Sequence, residues 1–127
     1  MRVLNFSSSP DNLTECFAEL KKRLPQEELD RIGRISEKDM VLYHSNLGRT
    51  LRNKWGLWTG SRLQTFFFDL GLQHADDMSG VILDSFWRHI HNKPILLEKQ
   101  VARYQKYWKG VEINENGTVV VEVDLRE

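Results

Sequence analysis

The chain has 127 residues, 40% hydrophobic and 28% charged, a size and balance expected of one globular domain that buries roughly two-thirds of its unfolded surface. Eighteen basic residues offset eighteen acidic ones, so no overall field draws in a nucleic-acid backbone or an anionic membrane, and neither is expected as a partner. A lone cysteine, Cys16, excludes an internal disulfide and a multi-cysteine zinc site; with no signal-like start and no long apolar run, a cytoplasmic location is expected.

Arg2 to Phe6 alternates polar and apolar residues and predicts a short strand. Ser9 and Pro10 then read as the cap and first position of a helix with the apolar stripe Leu13, Cys16, Phe17, Leu20 and Leu24. Cys16 on that stripe reads as a small buried hydrophobe rather than a reactive thiol. Pro25 ends this helix and opens a shorter, charged one with Leu29, Ile32 and Ile35 inward. Ser36 begins a capping-box-like start for one long helix, Lys38 to about Trp55, with Met40, Tyr43, His44, Leu47, Gly48, Leu51 and Trp55 on one side. Gly48 in mid-stripe implies a closely packed neighbour, and His44 among apolar residues reads as a hydrogen-bonded core histidine.

Gly56 and Gly60 bracket a break, and Thr59 is the candidate cap of a short helix from Ser61 to Leu70. Leu63, Phe66, Phe67 and Leu70 cover one arc of it, leaving Phe68 off the stripe, where it meets a second element or forms a contact surface. Gly71 suits the position just past a helix end. Asp76 and Asp77 open the next helix, to about His91. Its face of Met78, Val81, Ile82, Phe86 and Ile90, widened by Leu83 and Trp87, marks it as central. On its polar strip Asp84 and Arg88, four apart, are expected to pair. After the turn at Asn92 to Pro94, Leu97, Val101, Tyr104 and Trp108 define the last helix, and Gly110 stops it. Valines at alternate positions around Asn114 to Gly117 then predict a β-hairpin. The reading is an α+β domain, mainly helical: five or six helices with a C-terminal β-hairpin, which a short N-terminal strand could join.

The stretch from Arg52 to Asn92 holds three of the four tryptophans, four of the six phenylalanines and three of the four histidines. No metal site is expected there, because His89 and His91 are two apart on a helix and neither HExxH nor a finger pattern occurs. Asp76 and Asp77 could supply a carboxylate pair, but two acids at a helix start are explained by the orphan amides and positive dipole end. No Gly-x-Ser-x-Gly elbow supports Ser61, Ser79 or Ser85 as a nucleophile, and WGLWTGSR lacks the lysine of a phosphate loop. No catalytic residue and no cofactor are therefore assigned.

What remains is a polar and aromatic cluster of Arg52, Asn53, Trp55, Trp58, Ser61, Arg62, His74, Asp76, Asp77 and Arg88. It reads either as a recognition groove, since tryptophan and arginine anchor interfaces, or as an ion-pair network in which Arg52 or Arg62 ties the Asp76–Asp77 helix start to the loop. The sequence favours the network. A second surface is the acidic hairpin, Glu112, Glu115, Glu122, Asp124 and Glu127 against Arg126, which reads first as a solvated edge that resists aggregation and second as a face for a basic partner.

The pattern R-N-x-W-G-L-W-x-G-S-R-L, then H-x-D-D-M-S-G-x-I-L and a following R-H, resembles that of a family of small bacterial proteins classed as a domain of unknown function. It is carried by Arg52, Asn53, Trp55 to Trp58, Gly60 to Leu63, His74, Asp76 to Ser79, Ile82, Leu83, Arg88 and His89. Where that family's pattern has proline after the histidine, this chain has Ala75. The resemblance implies a bacterial, cytosolic origin and little about chemistry, since the family has no settled activity. Two functional expectations follow from the whole reading. The first is a non-enzymatic domain that binds another protein, with an immunity or antitoxin-like role as one case and self-association open. The second is an enzyme or small-ligand receptor using Arg52, Arg62, His74, Asp76 and Asp77 on a phosphate- or carboxylate-bearing ligand.

Overall fold

The computed structural model describes residues 9–113 and 119–121, with the side chains of 9–110. Helix α1, Leu13–Arg23, is capped by Asn12 rather than Ser9. Asn12 Oδ1 accepts from the Glu15 amide at 2.9 Å, while Glu15 Oε1 accepts from the Asp11 amide at 2.9 Å, so two orphan donors are satisfied. Leu13, Cys16, Phe17, Leu20 and Leu24 are all buried, as the stripe required. Pro25 then turns the chain into α2, Gln26–Ile32, which buries Ile32 and leaves Leu29 partly covered.

The long helix expected from Lys38 to Trp55 is two elements. A 3₁₀ segment, Glu37–Tyr43, comes first, and α3, Leu47–Lys54, starts afresh after Asn46, whose Oδ1 accepts from the Leu47 amide at 2.7 Å. Asparagine offers the backbone a local partner in place of a helical one, and here it ends one segment and begins the next. Three residues per turn place Met40 and Tyr43 in line, both buried, while Val41 and Leu42 face solvent. Gly48 does have close neighbours: a Cβ there would lie 3.1 Å from Arg52 Nη1 and 3.7 Å from Leu83 Cδ1.

Helix α4, Arg62–Leu70, is capped by Ser61, not Thr59, through a 3.1 Å bond from the Gln64 amide to Ser61 Oγ. It ends at Gly71, whose φ of +100° is the left-handed conformation expected past a helix end. Helix α5, Ala75–Ile90, buries ten residues, among them Met78, Val81, Ile82, Leu83, Phe86 and Trp87, and touches α1, α3, α4, the 3₁₀ segment and the last helix. It is the axis of the fold. Two long-range bonds fasten it to the N-terminal half: Trp87 Nε1 donates to the Ile35 carbonyl at 2.9 Å, and His91 Nε2 lies 3.1 Å from the Ile32 carbonyl. His89 packs inward by stacking on Phe17, with centroids 4.6 Å apart.

The pairing of Asp84 with Arg88 expected along α5 does not form. Arg88 reaches instead to Glu37 on the 3₁₀ segment, Nε to Oε2 at 2.6 Å and Nη2 to Oε1 at 3.1 Å, because a two-pronged bond to another element outcompetes a one-turn surface contact. Helix α6, Leu97–Lys109, closes the far side with Val101 and Gln100; Gln100 Nε2 donates to Ser85 Oγ at 3.0 Å and to the Ile95 carbonyl at 2.8 Å, which resolves the polar serine on the apolar face of α5.

Seven helical segments, six α and one 3₁₀, carry the core among the described residues, so the fold is all-α and the α+β assignment is corrected. The C-terminal β-hairpin forms no part of this architecture. The extended residues are Val111–Ile113 against Val119–Val121, three a side, too few to build a layer, and the apolar faces of the helices cover one another instead. The strand expected at Arg2 to Phe6 and the turn at Asn114 to Gly117 lie outside the described residues, as do the side chains of the acidic hairpin surface.

Candidate functional site

The ten residues of the polar and aromatic cluster occupy five separate places. In the first, α3 aims Arg52 at the opening turn of α5. Arg52 Nη1 donates to Ser79 Oγ at 2.8 Å, Nε lies 3.2 Å from Asp76 Oδ1, and Ser79 Oγ donates to the Asp76 carbonyl at 3.0 Å. The guanidinium side chain is 12% exposed and the Asp76 side chain 75%, so water screens the ion pair and the buried serine contact carries more of the fastening. In the second, Asn53 Oδ1 accepts from Trp58 Nε1 at 3.2 Å, holding an exposed indole over the end of α3. Ser61 in the same loop is the α4 cap, and Trp55 beneath it is fully buried in the core. In the third, Arg62 Nη1 sits 3.5 Å from Asp11 Oδ2 across an open surface. The fourth is the Arg88–Glu37 fork, in which Arg88 Nη1 also donates to the Pro94 carbonyl at 3.1 Å.

The fifth place contains His74, Asp77 and a residue outside the cluster, Trp108. The indole of Trp108 stacks on His74 with centroids 3.8 Å apart and planes 23° from parallel, and its Nε1 donates to Asp77 Oδ2 at 2.7 Å. Burial pushes the Asp77 carboxyl above its usual value, against the opposing pull of the Trp108 N–H and of His74. Tyr107 stands edge-on to Trp108 at 5.2 Å. His74, Asp77 and Trp108, with Gly71, Leu72, Tyr104 and Gln105, bound an open groove of about 400 Å³ between the end of α4, the start of α5 and α6. Trp108 forms an aromatic wall of it, and its N–H and the Asp77 carboxylate already hold each other.

Asp77 and Arg62 do not meet: Asp77 accepts from Trp108, and Arg62 sits beside Asp11. Asp76 and Asp77 occupy the first turn of α5 without a side-chain cap, and His74 is the cap residue by its extended backbone alone. Among the described residues, no three histidine, cysteine, aspartate or glutamate side chains converge as a metal ion requires.

A family model described as a domain of unknown function (DUF6794) matches residues 9–90. The chain belongs to this family. The matched span covers α1 to α5 of the DUF6794 fold and ends where α5 ends, so α6, with Trp108, lies beyond it. No curated protein and no solved structure matches the chain.

Three partnerships do not follow from the sequence pattern: Trp108 with Asp77, Glu37 with Arg88 and Ser79 with Arg52. One signal for Trp108 was available, because Tyr107 and Trp108 are adjacent on a helix and cannot both point inward.

Proposed function

We propose that this DUF6794 protein is a small, non-enzymatic domain that binds another protein in a bacterial cytoplasm, with an immunity or antitoxin-like role as the specific case. The observation that carries this reading is the Trp108 anchor. It is a 39% exposed indole already fixed on one face by His74 and at its N–H by Asp77, with the 50% exposed Tyr107 beside it. An aromatic side chain ordered before contact loses little entropy on binding, and tryptophan and tyrosine are the residues that most often anchor interfaces. The arginines support the same reading in another way: Arg52, Arg62 and Arg88 are each committed to a carboxylate in a different place, so no guanidinium pair is left to clamp a ligand at the sequence cluster.

The test is capture from a bacterial lysate followed by titration of the identified protein against wild type, Trp108→Ala and Tyr107→Ala. The expected result is a loss of affinity of about a hundredfold for Trp108→Ala, measured at a temperature where the variant is folded. Equal affinity for all three proteins would remove the groove from the interface, and a complex formed only by a second copy of the chain would replace the partner by self-association.

A further inference from the structure

A second cleft, of about 480 Å³, opens on another face, where the 3₁₀ segment, α5 and α6 meet, and it is lined by Glu37, Lys38, Val41, His44, Asp84, Arg88 and Arg103. Six of these seven side chains are ionisable. Two of them are spent: Arg88 and Glu37 neutralise each other in the two-pronged bond already described, with the third arginine nitrogen on Pro94, and form a fixed wall. The remaining cations, Lys38 from the 3₁₀ segment and Arg103 from α6, are exposed and enter no ion pair among the described residues.

Asp84 is recessed in this cleft with its side chain 27% exposed, yet among the described residues no group donates a hydrogen bond to it. The nearest candidate, His44 Nε2, stands 4.0 Å from Asp84 Oδ1, too far to bond, and is itself buried without a hydrogen-bond partner among the described residues. Burial, and then the nearby Glu37, push the Asp84 carboxyl up to about 6, while Arg103 and Arg88 pull the other way. A recessed carboxylate without a protein donor among the described residues is completed by a ligand or solvent donor.

We infer that this cleft binds a small hydroxylated oxyanion, a molecule with a carboxylate or phosphate that Lys38 and Arg103 hold and a hydroxyl that donates to Asp84. A bare cation is disfavoured by the three basic side chains around the acid, and an anion without a hydroxyl leaves Asp84 unsatisfied and repelled. The volume suits a ligand of this size, since small-molecule sites commonly span roughly 300–1,000 Å³. This site shares no residue with the Trp108 groove and stands or falls independently of it.

The test uses two pairs of probes that differ in hydroxyl content, malate against succinate and glycerol 3-phosphate against propyl phosphate, each titrated calorimetrically into the full chain. At least one pair is expected to show its hydroxylated member bound about tenfold tighter, the low end of what one hydrogen bond to a charged acceptor contributes. The pair that responds identifies the anion as carboxylate or phosphate. Asp84→Ala should bring that ratio to about one, and Lys38→Gln with Arg103→Gln should weaken both members about tenfold, at melting temperatures no lower than wild type by more than a few degrees. The same ratio in Asp84→Ala as in wild type, unaltered binding by the lysine and arginine variants, or no binding of any probe at about 10 mM would overturn the assignment.

Discussion

The Tyr104 hydroxyl occupies the space that a side chain at residue 80 would need: a Cβ on Gly80 would lie 2.6 Å from Tyr104 Oη and 3.5 Å from Cζ. The glycine sits in mid-helix in α5, where it costs up to about 1 kcal/mol relative to alanine, and the cost is offset by the close seat it gives α6. Gly80→Ala should therefore destabilise the protein by about 1–3 kcal/mol through overpacking, despite its better helix propensity. In a Tyr104→Phe background the clashing oxygen is gone, and the same substitution should cost less than half as much. A double-mutant cycle by urea denaturation measures the coupling, and additive effects would show that the hydroxyl is not what the glycine accommodates.

Asp84 should make stability depend on pH. Its folded carboxyl is raised from 3.8 to about 6, so between those values the native state holds a proton that the unfolded chain has lost. Stability is therefore greatest below about pH 4 as far as this group is concerned, declines as pH rises to about 6, and stays reduced above it. Asp84→Asn should raise stability at pH 7 by about 1–3 kcal/mol and give no gain near pH 4. Melting curves of both proteins across that range decide it; a gain independent of pH would point to packing rather than charge.

Arg52 fastens α3 to the start of α5 through Ser79 and Asp76 from two different nitrogens, and a single-point ammonium cannot reproduce both contacts at once. Arg52→Met should lower unfolding free energy by about 1–3 kcal/mol, and Arg52→Lys should recover less than half of the loss. Chemical denaturation of the three proteins is the check, and full recovery with lysine would mean that charge alone holds the contact.

Cys16 is fully buried on the inner face of α1, and burial pushes its thiol far above the ordinary range. It should react with a thiol reagent only after global opening, so labelling without denaturant should proceed several orders of magnitude more slowly than in urea. Rapid labelling of the native protein would show that α1 opens locally.

The helical stripes were legible because each depends on neighbours within a turn or two. Leu13, Cys16, Phe17 and Leu20 bury as a set, and α5 declared its central place through an apolar arc too wide for a surface helix. The break at Asn46 was not, since the stripe from Met40 to Trp55 is continuous and only the cap chemistry of one asparagine interrupts it. The α+β class failed for a related reason. Alternating valines specify an extended backbone but not whether it covers a core, and here helices had already covered it. The site was legible as a list of residues rather than as an arrangement. Arg52 and Asp76 do meet and His74 and Asp77 share Trp108, whereas Arg62 and Arg88 find Asp11 and Glu37, both 51 residues away in sequence.

The central position of α5 also sets a schedule for synthesis. Residues Leu13 to Lys54 emerge first, yet the surfaces that α1, the 3₁₀ segment and α3 pack against lie on a helix that ends at Ile90, and the carbonyls of Ile32 and Ile35 wait for His91 and Trp87. Such distant pairings form only after the intervening chain has been made, so the leading half leaves the ribosome with its apolar stripes uncovered and condenses when the later helix arrives.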